Sequence, residues 1–368
     1  MGFPRLMIDL AKLEANARWV ADLCRKYGVS VFGVTKACCG DPEVGKAMLR
    51  GGVAGLADSR LANLERLREA GIKAPLLLLR SPMPSEIPAV VRLAEASLNS
   101  EPGVVRELDR QARQQGLAHQ VILMADLGDL REGVWPDKVL ESAREMHSLE
   151  ERPPGDAAGA RQAGIHLAGL GTNFACFGGV IPSLPALQRL AELAGRCREE
   201  IGVDMQILSG GNSTSLHLLA SGDWWPGINH LRVGESILLG YDLVSRQPFA
   251  GMHQDAFVLE AEVIEIGLKP SVPIGEIGFD AFGNRPLFKD RGLRRRAIVA
   301  LGKQDLGAGH VAPQDPGVEV LGASSDHLIL DVTDVSGAVR AGDRLRFRPD
   351  YGAILGACTS PYVEKITS

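Results

Sequence analysis

Long apolar runs are missing from this sequence of 368 residues. The longest, such as residues 74–79 between Lys73 and Arg80, fall far short of the ~20 residues that cross a bilayer, so no transmembrane helix is expected. An excess of positive charge is missing too. The 40 Lys and Arg stand against 45 Asp and Glu, a formal charge of -5, which leaves no broad basic field for nucleic acid or anionic lipid. Cysteine is scarce. Cys24, Cys38, Cys39, Cys176, Cys197 and Cys358 follow neither a disulfide framework nor zinc-ribbon spacing, and no metal site is expected. Asp9 and Glu14 interrupt the stretch where an export signal would carry its apolar core, which makes a reducing cytoplasm the expected compartment. No compositional bias points to disorder, collagen or coiled coil: 45% of the residues are hydrophobic and 23% charged.

What is present is an alternation. Short β-branched or apolar runs at 29–34, 54–57, 75–79, 96–98, 120–125, 164–167, 205–208 and 230–233 are separated by amphipathic stretches. In the stretch 61–70, for example, Leu61, Leu64 and Leu67 fall on one face and Glu65, Arg66 and Arg68 on another. Eight such repeats predict an α/β fold, a (βα)8 TIM-type barrel over residues 1–250, whose active site lies at the C-terminal ends of the strands. Residues 151–162, rich in Pro, Gly and Ala, read as an exposed loop. After Met252 helical periodicity stops, and short alternating runs at 257–266, 295–301, 327–332 and 344–347 predict a second, all-β domain over 251–368.

Polar groups just past the strand ends are the candidates for chemistry. Lys36 follows the run 31–35, where desolvation can lower its pKa until it is a nucleophilic amine able to form a Schiff base. Read by itself, it is more often a solvated strand-end lysine. The cluster Ser209-Gly210-Gly211-Asn212-Ser213 follows the seventh run and opens a helix, and Arg232-Val233-Gly234-Glu235-Ser236 follows the eighth. Loops in these two places hold phosphate in barrels of this kind, although a Gly/Ser turn is the plain alternative. Asp126, Asp129, Arg131 and Glu132 end the fifth run, where an Asp/Arg turn bridge is the simplest reading.

Together with the runs 273–283 and 322–331, these motifs make the whole chain resemble the alanine racemase fold type, and within it the ornithine racemases. The resemblance implies pyridoxal 5'-phosphate as cofactor, with Lys36 carrying it and acting as base on one face of the substrate Cα. It implies Asn212, Ser213, Gly234, Glu235 and Tyr351 around the phosphate, Arg131 at the phenolic oxygen, Asn173 against the ring and Arg232 at the pyridine nitrogen. A guanidinium does not give up its proton, so the cofactor would be a weaker electron sink that favours reprotonation at Cα over transamination. It implies a homodimer with shared active sites.

Three departures bear on the substrate. Alanine racemases set a tyrosine opposite the lysine, whereas this chain has Phe279 beside Asp280, so Asp280, Asp326 and His327 are the candidates for the second base. Cys39-Gly40-Asp41 replaces a phosphate-binding tyrosine, and Asn173 replaces a histidine packed on the ring. With acidic residues available to pair with a second ammonium, the expected activity is racemisation of ornithine or another basic amino acid. The rival readings are a metal-dependent lyase of the D-threonine aldolase kind and a non-catalytic pyridoxal-phosphate-binding protein.

Overall fold

The eight alternating runs become eight parallel strands of one closed barrel. A computed structural model describes residues 2–150 and 164–368, so the loop expected at 151–162 lies outside the described residues. After a first strand, β1 (Arg5–Ile8), the barrel strands are β2 (Ser30–Val34), β3 (Gly55–Asp58), β4 (Leu76–Leu78), β5 (Ala96–Asn99), β6 (Ala118–Met124), β7 (Gly164–Gly171), β8 (Ile207–Ser209) and β9 (His230–Val233). Pairing of β2 with β9, Gly33 opposite Val233, closes the ring. Its interior is packed rather than open: Val34, Leu77, Leu98, Ile122 and Met124 fill the centre, with Phe32 and Ile207 against them. Small residues make this possible. A Cβ at Gly169 would come within 2.1 Å of the Ile207 carbonyl oxygen, so the backbones of β7 and β8 lie too close for any larger residue.

The helices between the strands carry ordinary start and stop signals. The helix Pro42–Arg50 has Pro at its first position and Asp41 as cap, whose carboxylate accepts from the Glu43 and Val44 amides. The helix Pro102–Gln115 stops at Gly116 in the left-handed conformation, φ 67°.

The second unit comprises Met1–Asp9 and Asp255–Ser368. Its strands are β10 (Phe257–Pro270), β11 (Leu293–Val299), β12 (Val311–Pro313), β13 (Glu319–Ala323), β14 (Leu328–Asp331), β15 (Arg344–Pro349) and β16 (Glu364–Thr367). They form a sheet in the order β12-β15-β10-β11-β14-β13. β1 joins this sheet, antiparallel to β10 and parallel to β16. The division expected at residue 250 is therefore corrected at the N-terminus: the first nine residues belong with the β unit, and the barrel unit runs Leu10–Gln254. Two helices, Lys303–Leu306 and Tyr351–Thr359, accompany the strands.

One buried charge in this sheet sets an expected acid response. Burial alone would raise the Asp331 carboxyl. The Arg294 guanidinium at 2.7 Å and two hydrogen bonds from Thr333 outweigh that and hold it down at about 2. A carboxyl lowered from an unfolded value of ~3.9 stabilises the folded state above that value and loses the effect as pH falls, here on the order of 1–2 kcal/mol. Asp331→Asn should therefore lower the unfolding midpoint at pH 7, with the difference from the parent protein shrinking below about pH 4. A constant difference at every pH would contradict it.

Candidate active site at the C-terminal rim of the barrel

Lys36 owes its position to the residue before it. β2 ends at Val34, and the chain turns at once into a short 3-10 segment over Lys36–Cys38. Thr35 is fully buried and holds this turn. Its hydroxyl donates to Asp58 Oδ2 at 2.8 Å, its N–H donates to the Ala57 carbonyl, and its carbonyl accepts from the Cys38 and Gly40 amides. Asp58, at the end of β3, also accepts from the Arg60 amide and Asn63 Nδ2, both at 2.9 Å. Burial outweighs these donors and leaves its carboxyl raised above the usual range. The turn closes through Cys39 and Gly40 in the left-handed region, φ 53° and 63°. A Cβ at Gly40 would sit 2.7 Å from the Asn63 Cβ, which makes glycine necessary there. Lys36 is thereby delivered half-buried at the rim.

The ends of β8 and β9 build a cradle beside it. Asn212 shapes the first loop: its Oδ1 accepts from the Thr214 amide and hydroxyl, and its Nδ2 donates to the Phe174 carbonyl. Ser213 Oγ accepts from the amides of Gly234 at 3.1 Å and Ser236 at 3.3 Å, which locks the two loops together. Gly234 lies against the lysine's own strand, where a Cβ would come within 2.9 Å of Val34 Cβ. Ser236 Oγ is buried with no partner among the described residues, and Glu235 is half-buried at the start of the following helix. Hydroxyls and backbone donors that converge with one oxygen left unpaired suit a small oxyanion.

Arg232, on β9 two residues before Gly234, is 3% exposed. Its guanidinium donates to Ser209 Oγ on one side, and to the Thr172 carbonyl at 2.7 Å and Asn173 Oδ1 at 2.9 Å on the other. Ser209 Oγ lies 2.8 Å from Nδ1 of His230, whose burial pushes its pKa down to about 3 and keeps it neutral. Burial lowers the Arg232 value to about 10, so the guanidinium keeps its charge at neutral pH. Asn173 donates on to Glu132 at 2.6 Å, and Glu132 pairs with Arg131. Cys176 is on the same rim, within electrostatic reach of Arg131 and Lys36. Asp129 fixes this rim segment by accepting from the Cys176, Phe177 and Val180 amides.

Of the residues singled out from sequence, the barrel unit thus brings together Lys36, Arg131, Asn173, Asn212, Ser213, Arg232, Gly234 and Glu235. Asp280, Asp326, His327 and Tyr351 belong to the β unit. Asp280 makes a turn there, its carboxylate accepting from the Phe282 and Asn284 amides and from Asn284 Nδ2. Asp326 Oδ1 lies 2.9 Å from His327 Nδ1. Tyr351 opens a helix capped by Asp350, whose carboxylate accepts from the Ala353 amide. Sequence reading passed over Thr172 and the Thr35–Asp58 pair, and it gave Ser209 and Glu132 no role of their own within their motifs. Strand-end position would have flagged Asp58; nothing local marks the contact of Glu132 with Asn173.

Comparison with known proteins bears on family and fold. Residues 8–242 match the family model described as alanine racemase, N-terminal domain. The chain is 42% identical over 366 residues to a lysine racemase of Thermotoga maritima, covering 100% of this chain and 99% of that protein. It is 41% identical over 364 residues to an ornithine racemase of Acetoanaerobium sticklandii, with 99% of each covered. Among solved structures, the alanine racemase of Streptomyces lavendulae superposes with a TM-score of 0.74 at 16% identity, covering 100% of this chain and 97% of that one. A D-threonine aldolase of Filomicrobium marinum does so with 0.72 at 18%, covering 96% and 88%. At those identities the structural matches speak to the fold, and the family follows from the sequence match: the chain belongs to the alanine racemase family.

Proposed function

We propose that this chain is a pyridoxal-phosphate-dependent racemase of a basic amino acid, ornithine or lysine, working as a cytoplasmic homodimer. The observation that carries the reading is the rim itself. A half-buried lysine follows the end of β2, the neighbouring strand β9 carries a buried arginine, and the ends of β8 and β9 form a cradle of hydroxyls and amides. The full-length likeness to a lysine and an ornithine racemase supports the substrate class.

The donor set fits the cofactor. Ser213, the Gly234 and Ser236 amides and the unpaired Ser236 hydroxyl suit its phosphate, and Lys36 suits its aldehyde. When bound, pyridoxal phosphate supplies an electron-withdrawing ring that acidifies the substrate Cα–H. The protein's share is acid–base work and charge control. Lys36 Nζ takes the proton from one face of Cα and returns it on reversal. Arg232 presents a donor that holds its proton at the operating pH.

For the opposite face, the Asp326–His327 pair is the best-prepared base, because a carboxylate at 2.9 Å orients the imidazole and leaves Nε2 to act. Asp280 is less suited, since three donors already occupy its oxygens. In the proposed dimer the β unit of one copy serves the barrel of the other. Support for a second copy comes from the segment between β10 and β11, where Ile274, Phe279, Phe282, Leu287 and Phe288 are exposed. Cys24, Cys176, Cys197 and Cys358 are unbridged thiols, which suits a reducing compartment.

Chiral chromatography of L-ornithine and L-lysine incubated with cofactor-loaded protein tests the reading. Accumulation of the D enantiomer up to an equal mixture is expected; no D product from any amino acid would overturn it. The cradle has its own test. Ser213→Ala should raise the dissociation constant for pyridoxal phosphate about tenfold or more, read by fluorescence titration, since a hydrogen bond to a charged group is lost. An unchanged constant would remove Ser213 from the cradle.

A further inference from the structure

Arg232 is held from two directions, and the two anchors differ in kind. On the inner side Ser209 accepts from the guanidinium and faces the neutral ring of His230, an uncharged pair wholly within the barrel. On the outer side the chain of contacts runs from Arg232 through Asn173 to the carboxylate of Glu132 and then to Arg131. Asn173 is a directional link. Arginine can only donate, so Asn173 Oδ1 must face Arg232 and Nδ2 must face the acceptor Glu132. The amide therefore transmits the position of one charged group to the other.

Charge makes Glu132 singular here. Two arginines and Lys36 gather on this rim. Burial raises the Cys176 thiol, so at neutral pH it contributes no charge. Asp129 is committed to three backbone amides. Among the described residues, Glu132 is bonded to Arg131 and, through one amide, to Arg232.

We infer that Glu132 is a positioning residue: through Asn173 it fixes the orientation of the Arg232 guanidinium, and it ties both arginines of the rim to one carboxylate. The consequence for catalysis rests on the reading that Arg232 faces the cofactor ring; the tether itself does not. Glu132 touches neither substrate nor cofactor in this role. It acts by keeping Arg232 from rotating and from donating elsewhere.

Two measurements test this separately. The first uses cofactor-free protein with nitrogen-15 arginine, in which the Arg232 side-chain signals are identified by their loss in Arg232→Lys. A guanidinium held on both sides rotates slowly and gives separate, slowly exchanging Nη signals. In Glu132→Ala these should broaden and merge, and in Glu132→Gln, which keeps an acceptor for Asn173 without the charge, they should change less. Arg232 signals in Glu132→Ala identical to those of the parent protein would overturn the inference.

The second uses the loaded enzyme. Glu132→Ala should lower kcat about 10- to 100-fold, the usual cost of losing an orienting outer partner, with KM for the amino acid moved far less. Equal loss in kcat and rise in KM would overturn a positioning role. Should the parent protein fail to racemise any amino acid, the proposed function fails, while the signals of the cofactor-free protein still decide the tether.

Discussion

Lys36→Ala should abolish measurable racemisation, a loss of at least about 10³-fold, because on the proposed function one substitution removes both the covalent anchor and a general base worth 10²- to 10⁴-fold alone. The fold should survive it. The turn that carries Lys36 is held by Thr35, Asp58, Asn63 and the left-handed Cys39–Gly40 corner, none of which uses the lysine side chain. Borohydride treatment provides the independent check: mass spectrometry should find the cofactor's mass retained on a peptide containing Lys36 in the parent protein and absent in the variant. A variant that keeps its activity, or label on another lysine, would move the centre of the site elsewhere.

Arg232→Lys should cost about 10²-fold or more in kcat, although the charge is retained. An ammonium on a flexible stem cannot reach Ser209, the Thr172 carbonyl and Asn173 Oδ1 together, whereas the planar fork does so from one buried position. At least one acceptor is then left unpaired in the barrel, so the unfolding midpoint should fall as well, by the equivalent of roughly 1–3 kcal/mol. The chemical signature is more telling than the rate. On the proposal that residue 232 faces the cofactor ring, a loosely held donor there should send more events to the 2-oxo acid rather than to the D-amino acid. A variant with native kcat and no 2-oxo acid would show that Arg232 is scaffold only.

Much of this architecture was legible because barrel strands are buried on both faces and read as uninterrupted apolar runs. The runs expected at 96–98 and 230–233 differ from the strands Ala96–Asn99 and His230–Val233 by one residue at most. Lys36 and Ser213 stood out because each lies past the end of such a run, and Arg232 because it is a charge within one.

What escaped detection depends on distant partners. β1 has only four residues, and its pairing strands β10 and β16 lie some 250 to 360 positions away, so no local signal separates it from the helix that follows. The helix Tyr351–Thr359 is apolar on nearly every side and shows no period of 3.6 to read. The segment that carries Arg131 and Glu132 read as an Asp/Arg turn bridge, which gave Glu132 no role. Its link to Asn173, 41 residues further on, exists only once β6 and β7 are paired. The position of Asp280 was legible, its engagement with Asn284 was not, and that engagement is what favours the Asp326–His327 pair as second base.

The most direct measurement is proton NMR of the cofactor-loaded protein in heavy water with L-ornithine and L-lysine, followed by chiral separation of the same samples. A racemase of basic amino acids removes the Cα–H signal while a deuterated D enantiomer accumulates, and both effects vanish in Lys36→Ala. Unchanged Cα–H signals for every amino acid offered, with cofactor bound, would contradict racemisation. Release of glycine and acetaldehyde from D-threonine in the presence of a divalent metal would place the chemistry with the aldolases instead.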